Sequence, residues 1–210
     1  MKRIILPTLL ILLFTGISLA QFQLAPVTGL NISKVRTSNS QLNEVSYSNT
    51  NGFMGGLNAK YAFENRFNIQ LEGAYSQKGY ESKAVNASSR NILKFNYLDL
   101  LLLGEYALND LIGLNIGGNF GTKIGEKING SKSSSIEISN DKDIGLIAGL
   151  KFYIGQIFIR TSYQHGVNPL YSVILTNENG EKRGTSNIYN QTFQLAVGYY
   201  FTEPSREFNR

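Results

Sequence analysis

Apolar side chains return at every second position along most of this chain. That period belongs to a β-strand with one oily and one polar face, not to a helix. In FNIQLEGAYSQKGY, residues 67–80, Phe67, Ile69, Leu71 and Tyr75 share one face, while Asn68, Gln70, Glu72, Ser76 and Lys78 share the other. The same alternation recurs over 27–35, 52–63, 92–106, 111–124, 143–154, 157–166 and 188–201, so an all-β chain of eight strands is expected. The 12 Tyr, 12 Phe and 21 Gly, beside 2 Met and no Trp, fit strands and turns.

The connections alternate as well. Residues 64–66, 107–110 and 155–156 are tight turns, whereas 36–51, 81–91, 125–142 and 167–187 are long and rich in Ser, Asn, Lys and Glu. Strands joined alternately by short and long segments describe an antiparallel up-and-down barrel with one short-turn rim and one long-loop rim. Both chain ends then fall on the short-turn side. The four prolines, Pro7, Pro26, Pro169 and Pro204, fall outside the expected strand interiors, as a continuous ladder requires. Ser172–Thr176 also reads as strand and would extend its hairpin beyond the rim.

The fold then turns on which way the oily face points: inward in a soluble barrel, outward in a membrane barrel. Three features favour outward. The strands are long enough to cross a bilayer at a barrel's tilt. Small Gly, Asn and Ser residues oppose the oily face, which suits a narrow lumen. Aromatics gather at the strand ends, as two interfacial girdles would require. Tyr61, Phe63, Phe67, Tyr106, Phe152, Tyr199 and Phe201 lie near the short turns; Phe53, Tyr75, Phe95, Tyr97, Phe120, Tyr163 and Tyr189 lie near the long loops. The expectation is an eight-stranded antiparallel up-and-down transmembrane β-barrel, with a soluble periplasmic ligand-binding barrel as the alternative. An eight-stranded barrel is just wide enough for side chains to fill. Its lumen is therefore expected to be packed and non-conducting, with Lys60, Lys151 and Arg160 paired against Glu72, Asp99 and Glu105.

One strand breaks phase. In ILKFNYLDLLLLGEYAL, Phe95 and Tyr97 share a parity that Leu98, Leu100 and Leu102 do not. A β-bulge near Tyr97–Leu98 would put both apolar sets outward and turn Asp99 and Glu105 inward. The alternative is that Leu101 and Leu103 fill the interior beside those acids. The bulge is the preferred reading.

Residues 1–20 read as a secretory signal: Lys2 and Arg3, an apolar run from Ile4 to Phe14, then Ser18-Leu19-Ala20 at the cleavage site. Residues 21–203 would form the barrel and 204–210 a short polar tail. The absence of Cys excludes disulfides, thiolate metal sites and a Cys nucleophile. The net charge of +5 is scattered rather than clustered, so no nucleic-acid partner is expected.

The stretches GLNIS (29–33), LEGAYSQKG (71–79), FNYLDLLLL (95–103), DIGLIAGLKF (143–152), TSYQHGVNPLY (161–171) and LAVGYYF (195–201) resemble the PorT-like outer membrane β-barrel family of the Bacteroidota. They occur in the family's order across nearly the whole chain after the signal. One departure is Leu100-Leu101, where family members commonly read Pro soon after the Tyr-Leu-acidic stretch. The resemblance implies an outer-membrane barrel with both termini periplasmic. It implies little about activity; the namesake takes part in the type IX secretion pathway, which family membership does not transfer.

Candidate chemistry is sparse. The one histidine, His165, has Ser162 nearby, but strand parity turns Ser162 inward and His165 outward. A lipid-modifying enzyme is therefore the lesser alternative to an interfacial residue. Asn140, Asp141 and Asp143 lack calcium-loop spacing. The glycines of GLNIGGNFG alternate within a strand and do not open a helix, so they are not a phosphate loop. No catalytic, metal or cofactor site is expected. The function expected is structural or interactive: a monomeric barrel in contact with outer-membrane lipids, offering its long loops to a protein partner, with an accessory part in secretion as the alternative.

Overall fold

The structure, a computed structural model, describes residues 21–38, 45–63, 66–84, 89–132, 140–176 and 182–202. The expected signal, 1–20, and tail, 204–210, lie outside the described residues. Among the described residues eleven strands follow in chain order: β1 (Phe22–Thr37), β2 (Val45–Ser48), β3 (Thr50–Ala62), β4 (Phe67–Ala84), β5 (Asn91–Ala107), β6 (Ile112–Ile128), β7 (Ser131–Lys132), β8 (Lys142–Ile154), β9 (Ile157–Gly166), β10 (Tyr171–Thr176) and β11 (Lys182–Tyr199). Eight of them pair side by side in the order β1-β3-β4-β5-β6-β8-β9-β11, and β1 pairs antiparallel with β11 to close the ring. The result is a closed antiparallel up-and-down barrel. The short strands β2, β7 and β10 pair with β4, β6 and β11 and stand at the long-loop rim. The expected strand at Ser172–Thr176 is the body of β10.

Strand β1 begins earlier than the alternation suggested and takes in Pro26, which pairs with Leu57 of β3. The Leu24 carbonyl accepts from Phe201 N. By antiparallel alternation Pro26 turns its nitrogen to the same side. Regular pairing with β11 starts only at Val27 and Gly198, so the missing N–H falls where no ladder bond is lost.

The expected bulge in the strand over 92–106 is corrected. Strand β5 keeps one phase throughout: Leu93, Phe95, Tyr97, Asp99, Leu101, Leu103 and Glu105 are all buried in the interior, while Leu98, Leu100 and Leu102 are exposed on the outer wall. The irregularity sits in the neighbouring strand, where Asn96 pairs with Gly125 and Tyr97 with Lys123, leaving Ile124 extra in β6. Phe95 and Tyr97 are therefore not girdle residues.

What changes along β5 is the environment, not the phase. From Leu98 to Leu102 the outward positions are oily and face lipid. Beyond them the outward positions are Lys94 and Asn96, and the inward ones are Phe95 and Leu93. The same inversion occurs in β1, where Val35 points inward between Lys34 and Arg36, and in β11, where Ile188 points inward beside Asn187 and Tyr189. Above the hydrocarbon, water lies outside the wall, so the strands revert to the apolar-in arrangement of a soluble barrel. With 18 residues each, β4 and β11 exceed the roughly 9–11 needed to span a bilayer.

The interior is layered accordingly. Near the short turns, Ala25, Val27, Met54, Ala74, Tyr153, Phe158, Ala196 and Tyr200 pack together. The Phe158 ring occupies the space a side chain on Gly198 would need, 2.3 Å from an ideal Cβ there. At mid-height Leu101, Leu103 and Ile147 form a small apolar patch. At the long-loop end Val35, Tyr80, Leu93, Phe95, Tyr97, Leu170 and Ile188 close the mouth. Between these apolar ends lies a band of charged and amide side chains.

Candidate functional site

The charged band is assembled by the inward parity of five strands. Lys60 comes from β3, Glu72 and Lys78 from β4, Asp99 and Glu105 from β5, Asp143 and Lys151 from β8, and Arg160 from β9; all are buried. Among the described residues the buried ionisable side chains of Lys, Arg, Asp and Glu thus number four cations and four anions. A lumen out of contact with water tolerates charges only when they are paired and hydrogen-bonded.

The pairing falls into three groups. In the first, Arg160 grips Glu72 with both fork nitrogens, Nη1 to Oε2 and Nη2 to Oε1, each at 2.7 Å. Nη2 also donates to Gln194 Oε1 at 2.8 Å, and Gln194 in turn donates to Asn31 at 3.1 Å. Asn58 donates to Glu72 Oε2 at 3.1 Å, so the carboxylate is held from two other strands, β3 and β9.

The second group centres on Glu105. Its Oε2 accepts from Gln70 at 2.6 Å and from the Tyr153 hydroxyl at 2.6 Å. Lys60 and Lys151 stand at 3.7 and 3.9 Å, one beside each oxygen. Lys151 Nζ donates to Gln70 Oε1 and to the Tyr200 hydroxyl, both at 2.8 Å, and lies 3.8 Å from the centre of the Phe158 ring. The aromatic layer below thus also serves the charges, through hydroxyls and ring faces.

The third group differs from the expected pairing. Asp99 contacts none of Lys60, Lys151 or Arg160; its partner is Lys78, which bridges Asp99 Oδ2 and Asp143 Oδ2 at 2.8 Å each. Gln164 adds a donor to Asp143 at 3.2 Å. Gly121 pairs with Asp99 on one side and Asp143 on the other, and an ideal Cβ on it would lie 2.4 Å from Asp99 Oδ1. The bare backbone there makes room for both carboxylates. Neither Lys78 nor Asp143 was among the six expected network residues. The signal was available, since Lys78 shares the parity of Glu72 and Asp143 that of Lys151.

The girdle residues lie on the outer wall at two heights. Phe63, Phe67, Phe152, Tyr199 and Phe201 are exposed near the short turns, with Tyr61 and Tyr106 half-buried among them. Phe53, Phe120 and Tyr163 are exposed near the long loops, with Tyr75 and Tyr189 half-buried. Rings meet across strands: Phe67 with Tyr106 at 5.0 Å and Phe53 with Tyr75 at 5.3 Å between centroids.

The remaining candidates do not converge. Ser162 is buried in the lumen and His165 stands on the outer wall beside Arg36, so they form no nucleophile–base pair. Of the acidic-loop residues, Asn140 accepts from Lys142 N, Asp141 pairs with Lys123, and Asp143 belongs to the lumen. Above the mouth, the Tyr80 and Tyr171 hydroxyls meet at 2.6 Å, and Tyr47 packs edge-on against Tyr80. Burial pushes the Tyr171 phenol up to about 12, so it stays protonated at any physiological pH.

Oily outside, charged within and closed by β1 against β11, this is the architecture of a small outer-membrane β-barrel. The chain belongs to the family described as outer membrane protein β-barrel domain, whose sequence model matches residues 19–172. No curated protein matches the sequence. Among solved structures, Neisserial surface protein A is similar over 85% of this chain and 97% of its own, at 14% identity and a TM-score of 0.51. The attachment invasion locus protein Ail of Yersinia pestis is similar over 86% and 99%, at 19% identity and 0.48. OprG of Pseudomonas aeruginosa is similar over 86% and 95%, at 12% identity and 0.48. At these identities the likeness concerns the fold.

Proposed function

We propose that the protein is a structural or interaction barrel of the outer membrane, non-conducting and without enzymatic activity, whose long-loop rim faces outward and meets a partner. The observation that carries this reading is the filled interior. Arg160, Lys78, Lys151, Tyr97, Phe95, Phe158 and Tyr200 are each buried to 1% exposure or less, and they stack from one end of the lumen to the other. A barrel plugged in this way has no path for a solute, so its exposed chemistry lies at the rim. There β10 pairs with β11, and their hairpin offers a strand edge and side chains to another protein.

Two measurements test this. Reconstituted into planar bilayers, the protein is expected to give no stepwise ion current; reproducible steps would overturn the packed-lumen reading. Protease added to intact cells is expected to cut within the long connections and leave the short turns untouched. Cleavage only after the outer membrane is opened would reverse the orientation.

The stretches YSQKG (75–79) and YLD (97–99) support a finer placement in the PorT-like family, and with it the second reading, an accessory of a secretion machine. Co-purification of secretion subunits with the tagged barrel favours that reading; their absence favours an independent role.

A further inference from the structure

The two rims of the outer wall carry different charge. At the short-turn rim the described outward ionisable residues include Arg66 and Asp110, one of each sign. At and just above the height of the outer aromatic girdle, Lys34 and Arg36 of β1, Lys94 of β5, Lys127 of β6 and Lys142 of β8 stand on the outward face, with Lys94 directly opposite Lys127. That height is where a strand leaves hydrocarbon and meets lipid headgroups.

One part of this ring is built rather than scattered. The Arg36 guanidinium lies over the Tyr189 ring, 4.5 Å from its centre, with Arg36 and Tyr189 paired in register between β1 and β11. Its Nη2 reaches His165 Nε2 of β9 at 3.5 Å, and His165 pairs with Gln191, which pairs with Lys34. Arg36 Nε is shielded from water and has no hydrogen-bond partner. Stacking on Tyr189 fixes the plane of the fork. A planar fork flanked by Lys34 and an imidazole suits a tetrahedral oxyanion.

We propose that Arg36, His165 and Tyr189, with Lys34 beside them, bind the phosphate of an outer-leaflet lipid headgroup on the outer wall. The oily surface of Ile32, Phe193 and Leu195 directly below would receive that lipid's acyl chains. The leaflet assignment rests on the orientation proposed above; the site itself does not, and the test below is independent of orientation.

The purified barrel in a neutral detergent is titrated with phosphatidic acid or with phosphatidylcholine, and bound lipid is counted by native mass spectrometry. Retention of one phosphatidic acid in preference to phosphatidylcholine is expected. Arg36→Gln should weaken it about tenfold, the loss of one charge-assisted contact. Lys142→Gln, which removes a cation stacked on Phe120 at the same height, should change it less than twofold. A heat-shift gel confirms that each variant is folded, and His165→Gln serves should Arg36→Gln fail to fold. Equal retention of the two lipids would overturn the proposal. So would equal losses in Arg36→Gln and Lys142→Gln, which mean diffuse charge only. Displacement of the lipid by millimolar inorganic phosphate would overturn the lipid assignment in favour of the free ion.

Discussion

Replacing Arg160 by Ala will destabilise the folded barrel by about 3–5 kcal/mol, the usual cost of stranding one member of a buried ion pair. The change leaves Glu72 buried, with Asn58 as its one remaining direct hydrogen-bond donor among those described for it. It also releases Gln194, and through it Asn31, from a chain of hydrogen bonds that crosses the lumen. Glu72→Leu should cost a similar amount by stranding the guanidinium. The double replacement Glu72→Leu with Arg160→Met removes both charges and is expected to recover more than half the loss, since desolvating the pair offsets most of its attraction. The midpoint of the heat-shift on an unboiled gel, read across the three variants in one detergent, measures this. Losses that simply add in the double variant would mean that the two side chains do not act as a pair.

The wall of this barrel was legible from sequence because a strand in lipid reports its faces residue by residue. Leu98, Leu100, Leu102, Ile116 and Leu146 appear at every second position, and their outward exposure follows from that count. Closure was legible from the alternation of short and long connections. The interior was harder for two physical reasons. Parity states which residues point inward but not which of them meet: Asp99 and Glu105 share a strand face, yet they serve separate groups about Lys78 and about Lys60 and Lys151. The second reason is that polarity changes meaning with height. At Phe95 and Tyr97 the oily face turns from lipid to interior because the strand has left the hydrocarbon, and a pattern that assumes one solvent reads this as a slip of phase. An early start of β1 was hidden by Pro26, which a strand tolerates where its nitrogen faces no ladder partner.

The second large effect is expected at Lys78. Lys78→Met should cost at least as much as Arg160→Ala, about 3–5 kcal/mol or more, because it strands two carboxylates instead of one. Asp99 and Asp143 approach the same ammonium at 2.8 Å from β5 and β8, and among the described residues neither has another cation within ion-pair distance. Without Lys78 their like charges face each other across Gly121 in a lumen that water does not reach. Methionine matches the length of the lysine stem, so the loss reflects charge rather than a cavity. Adding Asp143→Asn should restore about half of it, by removing one stranded charge while keeping a polar group beside Gln164. Chemical unfolding from a short-chain detergent, followed by tryptic release of the barrel, reads the series. If Lys78→Met unfolds at the wild-type midpoint, the three groups are not a charge cluster, and the outer lumen is held by the apolar layer of Tyr80, Phe95 and Ile188 alone.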